Sequence, residues 1–114
     1  MRTLFHPPIE AVRLEAVLHA LSDPVRVAIF ADIAGADCAQ TCGAFSRVGD
    51  REIPKSSLSQ HFKVLREAGL IHSERQGVEM HNTSRCAEIE GRFPGLVAAI
   101  INAHKIEGAA SAAA

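Results

Sequence analysis

No stretch of this chain reaches the roughly 18 consecutive apolar residues that a bilayer-spanning helix needs. Its first ten residues, MRTLFHPPIE, put a histidine, two prolines and a carboxylate where a signal peptide needs an apolar run. The sequence therefore predicts a soluble, cytoplasmic protein with no membrane partner. Cysteine is scarce and odd in number, three in 114 residues. That argues against a disulfide framework and for free thiols, a ligand set or small buried residues. A glycine-rich phosphate loop is missing, as is a carboxylate pair with an evident task. Cys42 and His61 alone make no nucleophilic site in so small a helical unit, so no enzyme is expected. A basic excess is missing too. The net charge of −1 taken by itself argues against a nucleic-acid partner.

What is present is an ordinary globular composition, 47% apolar and 22% charged, in a length that suits one domain with its own core. The charge is unevenly spread. Residues 47–85 hold seven basic and five acidic side chains, together with His61, His72 and His81, while the segments on either side are acidic on balance. We expect a domain over residues 1–106 and a flexible alanine-rich tail over 107–114, with no internal repeat.

Pro7 and Pro8 can start a helix, and Ile9, Val12, Ala16, Val17, Ala20 and Leu21 then recur at helical spacing, predicting a first helix over about 8–21. SDP at 22–24 predicts a stop and a new start, with Ser22 or Asp23 as N-cap, and Val25, Ala28, Ile29 and Ile33 carry a second helix to Gly35. CAQTCGAF suggests a short third helix with Cys38 and Cys42 on one face, and SRVGDREIP after it reads as loop. From Lys55 the period is strong again. Leu58, Phe62, Leu65 and Ala68 mark an inner face, and Gly69 stands where a left-handed cap would end the helix. LIHSERQGVEMHNTS then reads as a β-hairpin turning at Gln76-Gly77 or one residue to either side. After a further helical stretch and the interruption GRFPG, LVAAIINAHKI at 96–106 is apolar on nearly every side and calls for burial.

The fold class expected from this order is mainly α with a small β-hairpin, a winged helix-turn-helix. Such a helix suits DNA. With Leu58, Phe62 and Leu65 turned inward, Ser56, Ser57, Gln60 and Lys63 point outward, and Ser59 and His61 lie at the margins. Small hydroxyl and amide groups near a helix N-terminus approach bases and phosphates closely, Gln60 can bond adenine bidentately, and Lys63 suits a phosphate. The bland alternative is an ordinary solvated helix face. Arg75 at the hairpin tip favours DNA, because a basic wing beside a polar helix offers a second backbone contact.

ALSDPVRVAIF at 20–30 and SSLSQHFKVLREAGLI at 56–71, followed by SERQGVEMH in the wing position, resemble the ArsR/SmtB family of bacterial repressors over about residues 8–104. In that family L-x-D-x-x-R opens the second helix, and S-x-H-L-x-x-L-x-x-A-G-L marks the recognition helix. The resemblance implies a dimeric winged helix: a homodimer, paired through its first and last helices, that binds an imperfect palindromic operator in double-stranded DNA and is released by an inducer. It places Lys55, Ser56, Ser57, Ser59 and Gln60 at the DNA. Three departures stand out. SRVGDREIP is longer than the family's tight turn, Pro54 replaces the usual Ser or Thr cap, and the wing carries Met80 and His81 without a tyrosine.

Family members often announce their inducer through a ligand set. Cys38 and Cys42 partly match a thiol set for arsenite or other soft metals, with Cys86 as a candidate third thiolate or oxidation partner. His104 and Glu107 supply only half of the family's zinc set, since Gly91, Arg92 and Phe93 stand where the other half belongs. No metal site and no resident cofactor is expected; As(III) or another thiol-reactive inducer is one candidate signal, and inert cysteines, Cys42 among them as a small buried residue, with a different signal are the alternative. His72 and His81 flank the wing, a place where histidines are most often simple polar surface residues. The alternative to a DNA-binding repressor is a winged helix that binds protein, for which the weak charge excess is the best argument.

Overall fold

The computed structural model describes residues 4–35, 40–41, 47–48 and 51–113. A 3-10 turn at Ile9–Ala11 leads to α1 (Leu14–Ala20) and α2 (Pro24–Gly35). Three two-residue strands follow: β1 (Gln40–Thr41), β2 (Arg47–Val48) and β3 (Arg51–Glu52). Then come α3 (Lys55–Glu67), a hairpin of β4 (Ile71–Gln76) and β5 (Glu79–Ser84), α4 (Cys86–Arg92) and α5 (Leu96–Ala113). Among the described residues no helix is long and apolar enough to cross a membrane.

One core joins these elements. Val17 and Ala20 of α1, Ile29 and Phe30 of α2, and Phe62 and Leu65 of α3 are essentially without solvent contact, as are Leu70, Ile71 and Ile89. Burial of such side chains is what holds short helices that would be unstable alone.

The predicted first helix is broken. Val12 and Arg13 are extended (ψ 128 and 142°), so α1 begins at Leu14. The cause lies 80 residues away: Arg92 donates through Nε to the Val12 carbonyl at 2.7 Å, and the Val12 side chain is buried. Asp23 is the N-cap of α2, its Oδ1 accepting from the amides of Val25 (2.8 Å) and Arg26 (3.2 Å), while the Ser22 hydroxyl donates back to the His19 carbonyl. Burial opposes ionisation of Asp23, yet these two amides and the Arg26 charge outweigh it and hold its pKa below the usual range.

The short third helix proposed for CAQTCGAF is not formed at its centre. Gln40 and Thr41 are extended and pair with Asn82 and His81 of β5, giving a sheet in the order β1-β5-β4. The pairing covers the far edge of β5, which would otherwise expose unpaired amides and carbonyls. The loop read at 46–54 likewise contains an antiparallel ribbon, with Arg47 opposite Glu52 and Val48 opposite Arg51. Cys38, Cys42 and the rest of CAQTCGAF lie outside the described residues.

The hairpin turns at Gly77-Val78, one residue past Gln76-Gly77, as its register from Ile71↔Ser84 to Gln76↔Glu79 requires. Gly77 has φ +67° and Val78 does not have a positive φ, which is the requirement of a type II′ turn. α5 runs on to Ala113, so residues 107–113 of the expected alanine-rich tail continue the helix. Alanine's high helix propensity accounts for the extension.

Candidate nucleic-acid interface

The period of α3 decides what it offers. Leu58, Phe62 and Leu65 are buried against α1 and α2, and the side chains of Lys55, Ser56, Ser57, Ser59, Gln60 and Lys63 are exposed. Pro54 precedes the helix with extended φ −57°, ψ 144° and no side-chain cap. Its carbonyl accepts from Leu58 at 2.9 Å, the first bond of the helix. The amides of Lys55, Ser56 and Ser57 therefore have no helical carbonyl to bond. No acidic residue stands in the first turn, so the positive end of the helix is left open toward an anion.

The other end of α3 is fixed by a left-handed cap. Gly69 has φ +87°, its amide donates to Arg66 O, and the Leu70 amide donates to Leu65 O, both at 3.1 Å. This is the Schellman pattern, and Leu65 and Leu70, which its longer bond joins, are both buried. A Cβ added at Gly69 would run into Val12 Cγ2. The end of α3 is thus set against the same Val12 that breaks the first helix.

His61 differs from its neighbours. It is half-buried, and its Nδ1 lies 3.4 Å from Nη1 of Arg26 on α2. Of the residues read as DNA contacts, it is the one the fold draws inward. Arg26 closes the L-x-D-x-x-R motif, but neither composition nor periodicity marks its partner.

Beside α3 stands the wing. Arg75 is exposed on β4 opposite Met80, and Val78 at the tip is 95% exposed. Its base is held by groups that the sequence reading missed. Ser73 and Asn82 face each other across β4 and β5, both buried, with the Ser73 hydroxyl donating to Asn82 Oδ1 at 2.7 Å. The amide of Ser73 donates to His6 Nε2, and the His6 and His72 rings stack with centroids 4.4 Å apart. Arg85 donates to the Pro7 carbonyl at 2.8 Å and pairs with Glu88 at 2.6 Å. A short polar side chain inside an alternating strand and an N-terminal histidine were the signals available, and neither points to its partner.

Cys86 opens α4 as a half-buried free thiol. Among the described residues, no three His, Cys, Asp or Glu side chains gather closely enough to hold a metal ion.

Residues 21–74, which run from the end of α1 into the wing, match a helix-turn-helix domain family. No curated protein matches the sequence significantly. A solved structure described as a predicted DNA-binding transcriptional regulator from E. coli is similar at 27% identity and TM-score 0.55, over 80% of this chain and 84% of that one. An ArsR-like transcriptional regulator from Rhodococcus sp. RHA1 is similar at 23% identity and TM-score 0.57, over 88% and 86%. Reduced HlyU from Vibrio cholerae N16961 is similar at 23% identity and TM-score 0.53, over 71% and 87%. Helix order, hairpin and these likenesses agree: the chain carries a winged helix-turn-helix fold, with a helix-turn-helix domain over residues 21–74.

Proposed function

We propose that this chain is a sequence-specific DNA-binding transcriptional regulator of the cytoplasm, a homodimeric repressor that an inducer releases from an imperfect palindromic operator. The observation that carries the reading is the division of α3. Its apolar side is spent on the core, while Lys55, Ser56, Ser57, Ser59, Gln60 and Lys63 are all exposed beyond an uncapped helix N-terminus. An α-helix of this kind fits the major groove, its free amides meet a phosphate, Gln60 addresses a base edge and Lys63 the backbone. Arg75 on the wing adds a backbone contact.

Pairing is supported by apolar side chains the single chain does not cover. Leu14 and Leu18, one turn apart on α1, are exposed, and Ile106 on α5 is 63% exposed. Of LVAAII in α5, only Val97 is fully buried. Two copies joined through these helices would present two α3 helices to major grooves about 34–36 Å apart.

Either the cysteines are inert and the signal is another, or the inducer is assigned to a thiol-reactive class, As(III) or an oxidant, acting through Cys38, Cys42 and Cys86. Equal operator binding by reduced, oxidised and arsenite-treated protein, with Cys42→Ser as control, would remove that assignment and leave the DNA reading intact. The second reading, a winged helix that binds protein, is favoured by the net charge of −1. Titration of DNA binding against salt separates the two, because counterion release makes a DNA reader lose affinity steeply as salt rises.

A further inference from the structure

Arg26 has one function in the packing of α1 and another toward α3. Its Nε donates to the Ala20 carbonyl at 2.7 Å and its Nη2 to the His19 carbonyl at 3.3 Å, which closes the C-terminus of α1. The Asp23 carboxylate stands 4.0 Å from Nη1, and the Arg26 side chain is only 12% exposed. The remaining direction of the guanidinium leads to His61 Nδ1, 3.4 Å away and 35 residues later in sequence.

Chemistry fixes the proton in that contact. A guanidinium is always charged and only donates. As a hydrogen bond, the contact makes His61 Nδ1 the acceptor and puts the ring proton on Nε2. Gln60 and Lys63 stay exposed around a half-buried His61, so its ring sits at the seam between α2 and the outward face of α3.

We propose that Arg26 is a positioning residue for DNA reading, which locks His61 in its Nε2–H tautomer and makes it a contact that can donate but not accept. This rests on the reading of α3 as the DNA-facing helix. A donor-only imidazole can give its proton to a phosphate oxygen or a purine N7. It cannot take one from the amino group of cytosine. The choice between those partners is made by an arginine that itself stays inside the protein.

Two measurements test this. The first, on the free protein, is long-range nitrogen–proton NMR of the His61 ring. It should show protonated Nε2 and bare Nδ1 in the wild type, and loss of that preference in Arg26→Lys, whose single ammonium cannot span the α1 carbonyls and His61 together. A proton on Nδ1 in the wild type, or the same ring pattern in Arg26→Lys, overturns the proposal. The second is operator affinity of Arg26→Lys, His61→Ala and the double variant. Each single change should weaken binding about tenfold with the salt slope unaltered, and the double should be no weaker than the worse single. Losses that simply multiply would mean that the residues act separately, and the positioning role falls. Wild type that binds no DNA removes the reading of α3 and Arg26's role with it, which the ring measurement distinguishes from failure of the Arg26–His61 contact itself.

Discussion

The backbone amide of Ser73 donates to Nε2 of His6 at 3.0 Å, so the outer edge of the wing is held by a ring 67 residues earlier in the chain. Strand β4 lies at the edge of its sheet, and His6 satisfies one of the amides that such an edge leaves unpaired. An imidazole accepts at Nε2 only while that nitrogen carries no proton. Burial, and then the nearby charges of His72, Arg66 and Arg85, push the His6 pKa below its usual 6.5, with a hydrogen bond at Leu4 acting weakly the other way.

Stability should therefore fall with acid. Where the unfolded chain holds this proton and the folded chain does not, stability rises with pH. The His6 contribution is fully present above about pH 6.5 and is lost as pH falls toward the lower folded value. Denaturant midpoints across pH 5 to 8 should decline on the acid side in the wild type. They should decline less in His6→Gln, which keeps an acceptor near Nε2 and does not titrate. Parallel curves for the two proteins would contradict this.

Gly69→Ala should destabilise the fold severely for its size. A left-handed residue with a Cβ costs about 1–2 kcal/mol, and the added atom also meets Val12 Cγ2. The melting temperature should drop by several degrees. The double variant Val12→Ala, Gly69→Ala should lose less than the two single losses together, because the smaller neighbour removes the clash. Strictly additive losses would mean that Val12 is not in the way.

How much of this could be read beforehand differs from element to element, for a physical reason. Helix α3 was legible because Leu58, Phe62 and Leu65 repeat at its own period and Gly69 ends it, both local signals. The hairpin was legible from Gly77. Strand β1 was not, since two residues carry no period and Gln40-Thr41 is extended only because β5 is there to pair with it. The break at Val12 depends on Arg92, and the inward turn of His61 depends on Arg26. Contacts across 35 to 80 residues leave no trace in a local pattern.

The outward side of the candidate site was legible in the same way. Exposure of Lys55, Ser56, Ser57, Gln60 and Lys63 follows from which side of α3 the core takes. Cys86 is found half-buried at the start of α4, a placement no spacing rule announces.

Homodimer formation is open to a charge substitution. Leu18→Asp or Ile106→Asp changes an exposed side chain, so each variant should fold. If α1 and α5 pair two copies, sedimentation should show a monomer, and operator affinity should fall by tenfold or more because a single reading helix remains. A dimer of unchanged affinity in both variants would place the interface elsewhere.

The most direct test of the central claim is operator binding measured against salt for the wild type, Gln60→Ala and Lys63→Ala. A DNA-reading α3 predicts steep loss of wild-type affinity with rising salt. Gln60→Ala should bind the operator and unrelated DNA more nearly alike, at a cost of about 1–3 kcal/mol on the operator. Lys63→Ala should weaken every sequence and reduce the salt slope by about one for each phosphate contact removed. Salt-insensitive binding, or identical behaviour of all three proteins, would contradict the account.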